Sequence, residues 1–518
     1  MLKRILSVFV SVSVSACAMC CNQLYTAADD IYSDVGGGIW QSADELPDDC
    51  GINVIDCQAE TVSRTAIPSS FDISTNPDTS IYFPPIGNQG AINSCAGWAT
   101  TYYQFTYEVN RYRNTPTDET NIFSPSWTYN YINGGANNFA LLTDAYFVLK
   151  NQGAMTLEEY PHISSLSSYS YSWVSDTDKL IDVLEYRAAA TDLYVVDSME
   201  EIAEIKSKIA DGHVGVIWTN SSGWATAKNS SGENFIVRGS DRGNVGHCMT
   251  VVGYDDNIEV TVNGATLTGA FKIANSMGKN WGNDGYIWVS YDALNYVSTH
   301  GRGWQNDYKG TRTAVFGKEG KNNFYFIDVK KCNVCFVGCV TYISKDPWNL
   351  IIKADPSAFS PSKRWWCDKG QPLANPEYRC LVFDFFDSAA DKDLNRYMSR
   401  EWTIQVTGDK SNPVYRISAR ILDNLGNPVV PIDTVYGSLT DGIYSRTDSI
   451  NLAKGRVTSY DNQEITLADA ELVLDYIAND TEFSNIQKFL ADYNDNGTVD
   501  IADVVLMKQS IDILSEKL

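Results

Sequence analysis

The sequence predicts an α+β fold followed by a β-rich region and a small helical tail, and three observations carry that expectation. Helix-like apolar spacing over 101–113 and 141–151 comes first, and strand-like runs at 214–218, 249–254, 270–274 and 286–291 follow, the order of a two-part α+β domain. From 311 to about 450 the chain shows short β-like runs (324–329, 335–343, 381–386, 403–406, 414–421) set apart by polar, glycine and proline residues, which reads as a β-sandwich-like domain. The last segment repeats itself: Ile465-Thr466-Leu467-Ala468-Asp469 aligns with Val499-Asp500-Ile501-Ala502-Asp503, Leu472 with Leu506 and Ile477 with Ile511, as two loop-plus-helix units would. The 518 residues therefore divide into an export signal (1–28), a pro-segment or N-terminal arm (29–66), the α+β domain (67–310), the β-rich domain (311–450) and the repeat module (451–518).

A net charge of −24 argues against nucleic acid or an anionic membrane as a partner, since both are polyanionic. The start reads as a leader. Lys3 and Arg4 precede a short apolar run over 5–14, and Thr26-Ala27-Ala28 suits a signal peptidase. A lipoprotein box ending at Cys17 is the alternative, and only that would attach the chain to a membrane. The expected location is secreted and extracellular. Cleavage after Ala28 removes Cys17, Cys20 and Cys21. Setting Cys95 aside leaves Cys50, Cys57, Cys248, Cys332, Cys335, Cys339, Cys367 and Cys380, an even set that permits disulfides without requiring them. Cys332, Cys335 and Cys339 have neither a histidine nearby nor a second Cys-x-x-Cys, so structural thiols are expected rather than zinc.

A thiol is a nucleophile only as the thiolate, which a nearby imidazolium and a helix N-terminus both favour. Cys95 precedes a predicted helix over 96–113. Among His162, His213, His247 and His300, only His247 abuts a clear strand, a rigid mount for a base.

The neighbouring residues are more specific. Gln89-Gly90-Ala91-Ile92-Asn93-Ser94-Cys95 with Trp98-Ala99, Pro68-Ser69-Ser70-Phe71-Asp72 upstream, and Phe123-Ser124-Pro125-Ser126 downstream resemble the papain family. So do Gly246-His247-Cys248-Met249-Thr250-Val251-Val252-Gly253-Tyr254, and Phe271-Lys272-Ile273-Ala274-Asn275-Ser276-Met277-Gly278 with Trp281-Gly282 and Gly285-Tyr286. The resemblance covers about 67–300. It implies a two-lobed cysteine protease domain with Cys95 as nucleophile, His247 as base, Asn275 as the residue orienting that base, and Gln89 as oxyanion donor. Gly134 and Gly135 would pair with a substrate strand, and no cofactor is needed for catalysis. Three residues depart from the family pattern. Ile92 replaces a half-cystine, Ala96 stands where tryptophan usually follows the nucleophile, and Met277 replaces the tryptophan that covers the Asn–His hydrogen bond.

At the other end, 492–503 has the spacing of an EF-hand loop. Asp492, Asn494, Asn496, Asp500 and Asp503 place oxygen donors at loop positions 1, 3, 5, 9 and 12, Thr498 adds a carbonyl at 7, and Gly497 sits at the turn. The final aspartate and the second copy look like a dockerin, which implies calcium, a cohesin domain on a scaffold as partner, and cellulosome association. In the first copy Thr458, Tyr460 and Gln463 fall where two ligands and the glycine belong, so one good calcium site and one weak or absent one are expected. Leu467, Ala468, Ile501 and Ala502 occupy loop positions 10 and 11, which in dockerins help choose the cohesin; packing inside the module is their other reading. The expected function is a secreted endopeptidase delivered to a scaffold. The alternatives are an inactive papain-fold peptide or inhibitor binder, and a thiol acyltransferase, against which Asn275 in place of an aspartate argues.

Overall fold

The computed structural model describes residues 38–46, 50–57, 67–133, 137–166, 174, 176–239, 245–297, 312–318, 320–344, 350–354, 363–365, 377–384, 394–408, 414–429, 433–439, 442–460, 464–479 and 481–517. The expected leader with Cys17, the Gly134-Gly135 pair and Cys367 lie outside them.

The N-terminal arm contributes two strands, β1 (Gly38–Ile39) and β2 (Ile52–Asp56), and the α+β domain opens with β3 (Ser70–Asp72). Helix α1 covers 95–113. It starts as Cys95–Gly97, continues as a π-helical stretch Trp98–Phe105 and ends as Thr106–Arg113 at Asn114, whose φ of 52° stops it. Then come α2 (Pro125–Asn133), β4 (Ala140–Leu141), α3 (Leu142–Asn151) and α4 (Thr177–Asp182). The strands that follow are β5 (Tyr186–Val196), β6 (Gly215–Asn220), β7 (Ala225–Lys228), β8 (Asn234–Arg238), β9 (Gly246–Val262), β10 (Ala265–Ala274) and β11 (Tyr286–Ser290), with α5 (Ile202–Ala210) before β6. Helices first and strands after is the order expected.

Helix α1 is buried on two sides. Cys95, Ala99, Phe105 and Val109 join a helical core with Tyr129, Tyr146 and Leu149. Trp98, Tyr102, Tyr103 and Tyr107 join a second core with Val251, Phe271, Ile273 and Val289 from the sheet. The helix therefore lies where the two lobes meet, with its N-terminus beside the first residues of β9.

The sheet does not stop at residue 310, the expected boundary. Strand β12 (Lys321–Lys331) lies between β5 and β6, with Phe324 opposite both Tyr194 and Ile217, and the order is β2-β5-β12-β6-β9-β10-β11-β8-β7 with β3 on β9. Buried Gln104 of α1 ties the insertion down by donating to the carbonyls of Val214 and Tyr325, 2.9 Å each. The apolar run 324–329 was expected in the β-rich domain, but these pairings assign it to the protease lobe.

Beyond it lie β13 (Val337–Ser344), β14 (Leu350–Ala354), β15 (Lys363–Trp365), β16 (Glu377–Asp384), β17 (Ser399–Gly408), β18 (Val414–Leu422), β19 (Asp433–Leu439) and β20 (Gly442–Asn451). Among the described residues they make two antiparallel four-stranded sheets, β16-β13-β18-β19 and β15-β14-β17-β20. A buried ion pair between Arg187 of β5 and Asp384 of β16, and a hydrogen bond from Gln152 to the Val382 carbonyl, join this region to the first domain.

The tail is α6 (Leu467–Asn479), α7 (Asn485–Ala491) and α8 (Ile501–Lys517). Helix α7, capped by Ser484 and Gln487, was not legible from the repeat. Val473, Ile486, Leu490, Val504 and Met507 form its core. Asn485 bonds the Val334 carbonyl and the Asn424 side chain, so the module sits on the β-rich region.

Candidate active site

The loop before α1 is held from behind. Ala91 N–H donates to the Ser164 carbonyl at 2.8 Å, and Gly90, at φ +63°, lies so close that a Cβ would be 2.1 Å from that oxygen. Glycine is required there on both counts. The loop delivers Cys95 to the first turn of α1, where helix amides favour a thiolate. Cys95 is fully buried.

His247 is the second residue of β9, opposite Thr219 of β6. Asn275 follows the last residue of β10, and its backbone is fixed at both ends: its N–H donates to Gly285 O and its carbonyl accepts from Tyr103 OH. Asn275 Oδ1 lies 2.7 Å from His247 Nε2 and also accepts the Ser276 N–H at 2.7 Å. An atom that accepts from an amide is the oxygen, so Nε2 carries a hydrogen. The other ring nitrogen, Nδ1, has no nitrogen or oxygen partner and is left for the Cys95 sulfur.

Gln89 is locked beside them. Its backbone N–H donates to Ser276 O at 2.7 Å, its Oε1 accepts from Ser276 Oγ at 2.6 Å, and its Nε2 donates to Ile92 O at 2.9 Å. One of the two amide hydrogens remains for a ligand. His162, which the sequence left without a role, supports the same loop. Nε2 donates to Gln89 O at 3.1 Å, Nδ1 accepts from Ser126 Oγ at 2.8 Å, and the ring stands edge-on to Trp98 at 5.0 Å. Burial holds its pKa down, so it stays neutral.

Electrostatically, Cys95 and His247 are a matched pair. Burial opposes charge on the Cys95 sulfur. Hydrogen bonding from the Cys248 thiol and the hydrogen bond and charge of His247 outweigh it and hold Cys95 well below an ordinary thiol. Burial pulls His247 down, but the Cys95 sulfur and Asn275 raise it above its ordinary 6.5. The stable form is thiolate beside imidazolium. Cys248, read from sequence as one more structural cysteine, is buried in contact with Cys95, and burial and that neighbouring sulfur push its pKa well up.

The family described as papain family cysteine protease matches residues 67–300. Those residues form a papain family cysteine protease domain. The protein is a cysteine-type peptidase. Among solved structures, the protease domain is similar to xylellain, a cysteine protease from Xylella fastidiosa: 18% identity over 57% of this chain and 96% of that one, TM-score 0.37. Procathepsin B S9 from Trypanosoma congolense gives 15% identity over 58% and 87%, TM-score 0.37. Digestive procathepsin L2 from Tenebrio molitor larval midgut gives 14% over 54% and 76%, TM-score 0.36. No curated protein matches the chain.

The protease domain also explains two of its departures from the family pattern. Ile92, fully buried, is part of the helical core in place of a half-cystine. Trp98 lies under the loop against Gly87, where a Cβ would sit 2.1 Å from its ring. The arm reaches the site as well. β1 pairs with β4, and Gly38 lies against Cys248 Sγ and the Trp218 ring, where a Cβ would stand 2.6 and 2.9 Å away. Trp40 packs on Trp218 at 5.3 Å.

In the tail loop, Gly497 turns at φ +87°. Asp492 accepts from the N–H groups of Asn496 and Gly497, Asn494 from that of Asn496, Asn496 from Thr498, Asp500 from Ala502, and buried Asp503 from Asn494 and Asp500. All donors are oxygens, the set a hard cation takes. Among the described residues no three His, Cys, Asp or Glu side chains converge into a metal cluster. The first copy is closed differently. Its Asp469, fully buried, accepts from Arg456 at 2.8 Å, from Val457 N–H, and from the N–H and hydroxyl of both Thr458 and Thr466. Burial opposes the charge, but the Thr458 and Thr466 bonds hold the carboxyl down to about 2. Leu467 and Ile501 begin α6 and α8 and are 52% and 56% exposed, with Ala468 and Ala502 also exposed, so none of the four packs inside the module.

Proposed function

We propose that the protein is a secreted endopeptidase in which Cys95 attacks the scissile carbonyl. The observation that carries this reading is His247, bonded through Nε2 to Asn275 and with Nδ1 left for the Cys95 sulfur. The thiolate adds to the carbonyl carbon. The oxyanion accepts from the free Gln89 amide hydrogen and the Cys95 N–H. His247 Nδ1–H then protonates the leaving amine, and in the second half the same nitrogen takes a proton from the water that hydrolyses the thioester. Asn275 holds the ring in the one orientation that serves both steps.

In the same proposal residues 451–518 are a dockerin that attaches the enzyme to a cohesin-bearing, cellulosome-type scaffold through Leu467, Ala468, Ile501 and Ala502. Their exposure at two matching helix starts supports this. Asp492, Asn494, Asn496, Thr498, Asp500 and Asp503 would hold calcium, which when bound supplies the charge that offsets the loop carboxylates. Titration with an epoxide thiol inhibitor against casein hydrolysis tests the catalytic half. One equivalent on Cys95 with complete loss of hydrolysis is expected, and hydrolysis surviving full labelling overturns the assignment.

A further inference from the structure

Hydrolysis makes no use of Cys248, yet its sulfur touches the nucleophile. The two thiols are in hydrogen-bond contact, and the Cys248 backbone N–H also engages the Cys95 sulfur. Both lie in one packed cluster, and neither is in a disulfide. The neighbours that cover Cys248 are the Trp218 ring and the backbone of Gly38, so this sulfur lies under the arm as well as beside the nucleophile. Two adjacent thiols, one favoured as thiolate and the other held as thiol, match an attacking and a resolving cysteine.

We propose that Cys248 is a resolving thiol: a hydroperoxide entering the open cleft converts Cys95 and Cys248 into a disulfide that stops hydrolysis and is reversed by a dithiol. The inference rests on Cys95 being the nucleophilic thiolate. In the first step the Cys95 thiolate attacks one peroxide oxygen. A sulfur–oxygen bond forms, the oxygen–oxygen bond breaks, and hydroxide leaves to take up a proton as water. The sulfur, oxidised by two electrons, is now a sulfenic acid. In the second step the Cys248 sulfur attacks the Cys95 sulfur. The sulfur–sulfur bond forms, the sulfur–oxygen bond breaks, and the departing hydroxide leaves as water with the Cys248 proton. Two thiols are oxidised and one peroxide is reduced to two waters. Without a resolving thiol the sulfenic acid meets further peroxide and goes on to sulfinic acid, which dithiols do not reverse. With Gly38 seated on Cys248 the pair is shielded, so the chemistry belongs to enzyme whose cleft is open to substrate.

The test treats full-length protein with hydrogen peroxide while it hydrolyses casein, then blocks free thiols and maps peptides by mass spectrometry. Activity is expected to fall by roughly an order of magnitude or more. A Cys95–Cys248 linked peptide, lighter by two hydrogens than its two halves, should accompany the loss, and dithiothreitol should restore activity and remove the link. In Cys248→Ala the same dose should leave Cys95 as sulfinic acid, with little activity recovered. Wild type showing sulfinic acid at Cys95 and no linked peptide overturns the proposal, as does equal recovery in both proteins. Should Cys248→Ala fail to fold, the linked peptide in wild type decides alone. Absence of casein hydrolysis before peroxide is added removes the peptidase reading itself, and with it the nucleophile this proposal requires.

Discussion

The protein contains two buried pairs of touching thiols, and only one of them belongs to a catalyst. Cys339 of β13 and Cys380 of β16 have sulfurs 3.7 Å apart. The Cys380 thiol and Arg420 bring Cys339 down to about 7 against burial, while Cys380 is pushed up by the same contact. Cys95 and Cys248 divide in the same way, one down and one up. The difference is the cation. Arg420 stabilises a thiolate but never gives up its proton near neutral pH. His247 stabilises a thiolate and also donates and recovers a proton. A depressed thiol pKa therefore does not identify a nucleophile; a neighbour that can exchange a proton with substrate does.

The largest test of that contrast is paired removal of the two depressed thiols. Cys95→Ala should lower kcat for peptide hydrolysis by roughly 10⁵-fold or more, the scale of losing a nucleophile that acts with its base. Cys339→Ala should leave kcat unchanged, measured in the same casein assay. Next, Gln89→Ala removes an oxyanion donor but no reacting atom, so kcat should drop about 10²–10³-fold with KM little altered. The pH profile of kcat/KM should then show an acid limb well below the ordinary thiol value of 9.0, from Cys95, and an alkaline limb above 6.5, from His247. In Cys248→Ala the acid limb should move up, because a bond favouring the thiolate is gone. An unmoved limb would mean that Cys248 does not set the acidity of Cys95.

The smallest effects belong to the second pair. Cys339→Ala should cost about 1–2 kcal/mol of stability through lost buried contacts. Because the folded pKa of Cys339 lies below its ordinary value, the stability it adds is full above 9.0 and disappears as pH falls through about 7. Wild type and Cys339→Ala should thus melt closer together at pH 6 than at pH 9, by roughly the linkage of one depressed group.

The reacting residues were legible because each sits in a local motif: Cys95 after its Gln-Gly loop, His247 at the head of an apolar strand, Asn275 at the end of another. Cys248 was not. Alternation along a strand sends neighbours to opposite faces, so a residue beside the base gave no sign of touching the nucleophile. His162 was missed because its partners, Ser126 and the Gln89 carbonyl, are distant in sequence. The β12 boundary was missed for a similar reason. Its apolar run declares a strand, but pairing with β5 and β6 is a long-range property that no local window contains. In the tail, the lost ligands of the first loop were readable, while Arg456, two residues before that loop begins, lies outside the pattern that was scanned.

Arg456 changes what the tail asks of its surroundings. Its guanidinium supplies a positive charge at the carboxylate of Asp469, and that charge is covalently part of the chain. It cannot be diluted, exchanged or stripped by a chelator. One half of the module thus carries its own counter-charge from the moment of synthesis and forms at any ion concentration, while the other is left to respond to its environment. A tail built this way has a ready-made template on which its second half can order, and it registers the surrounding medium once rather than twice.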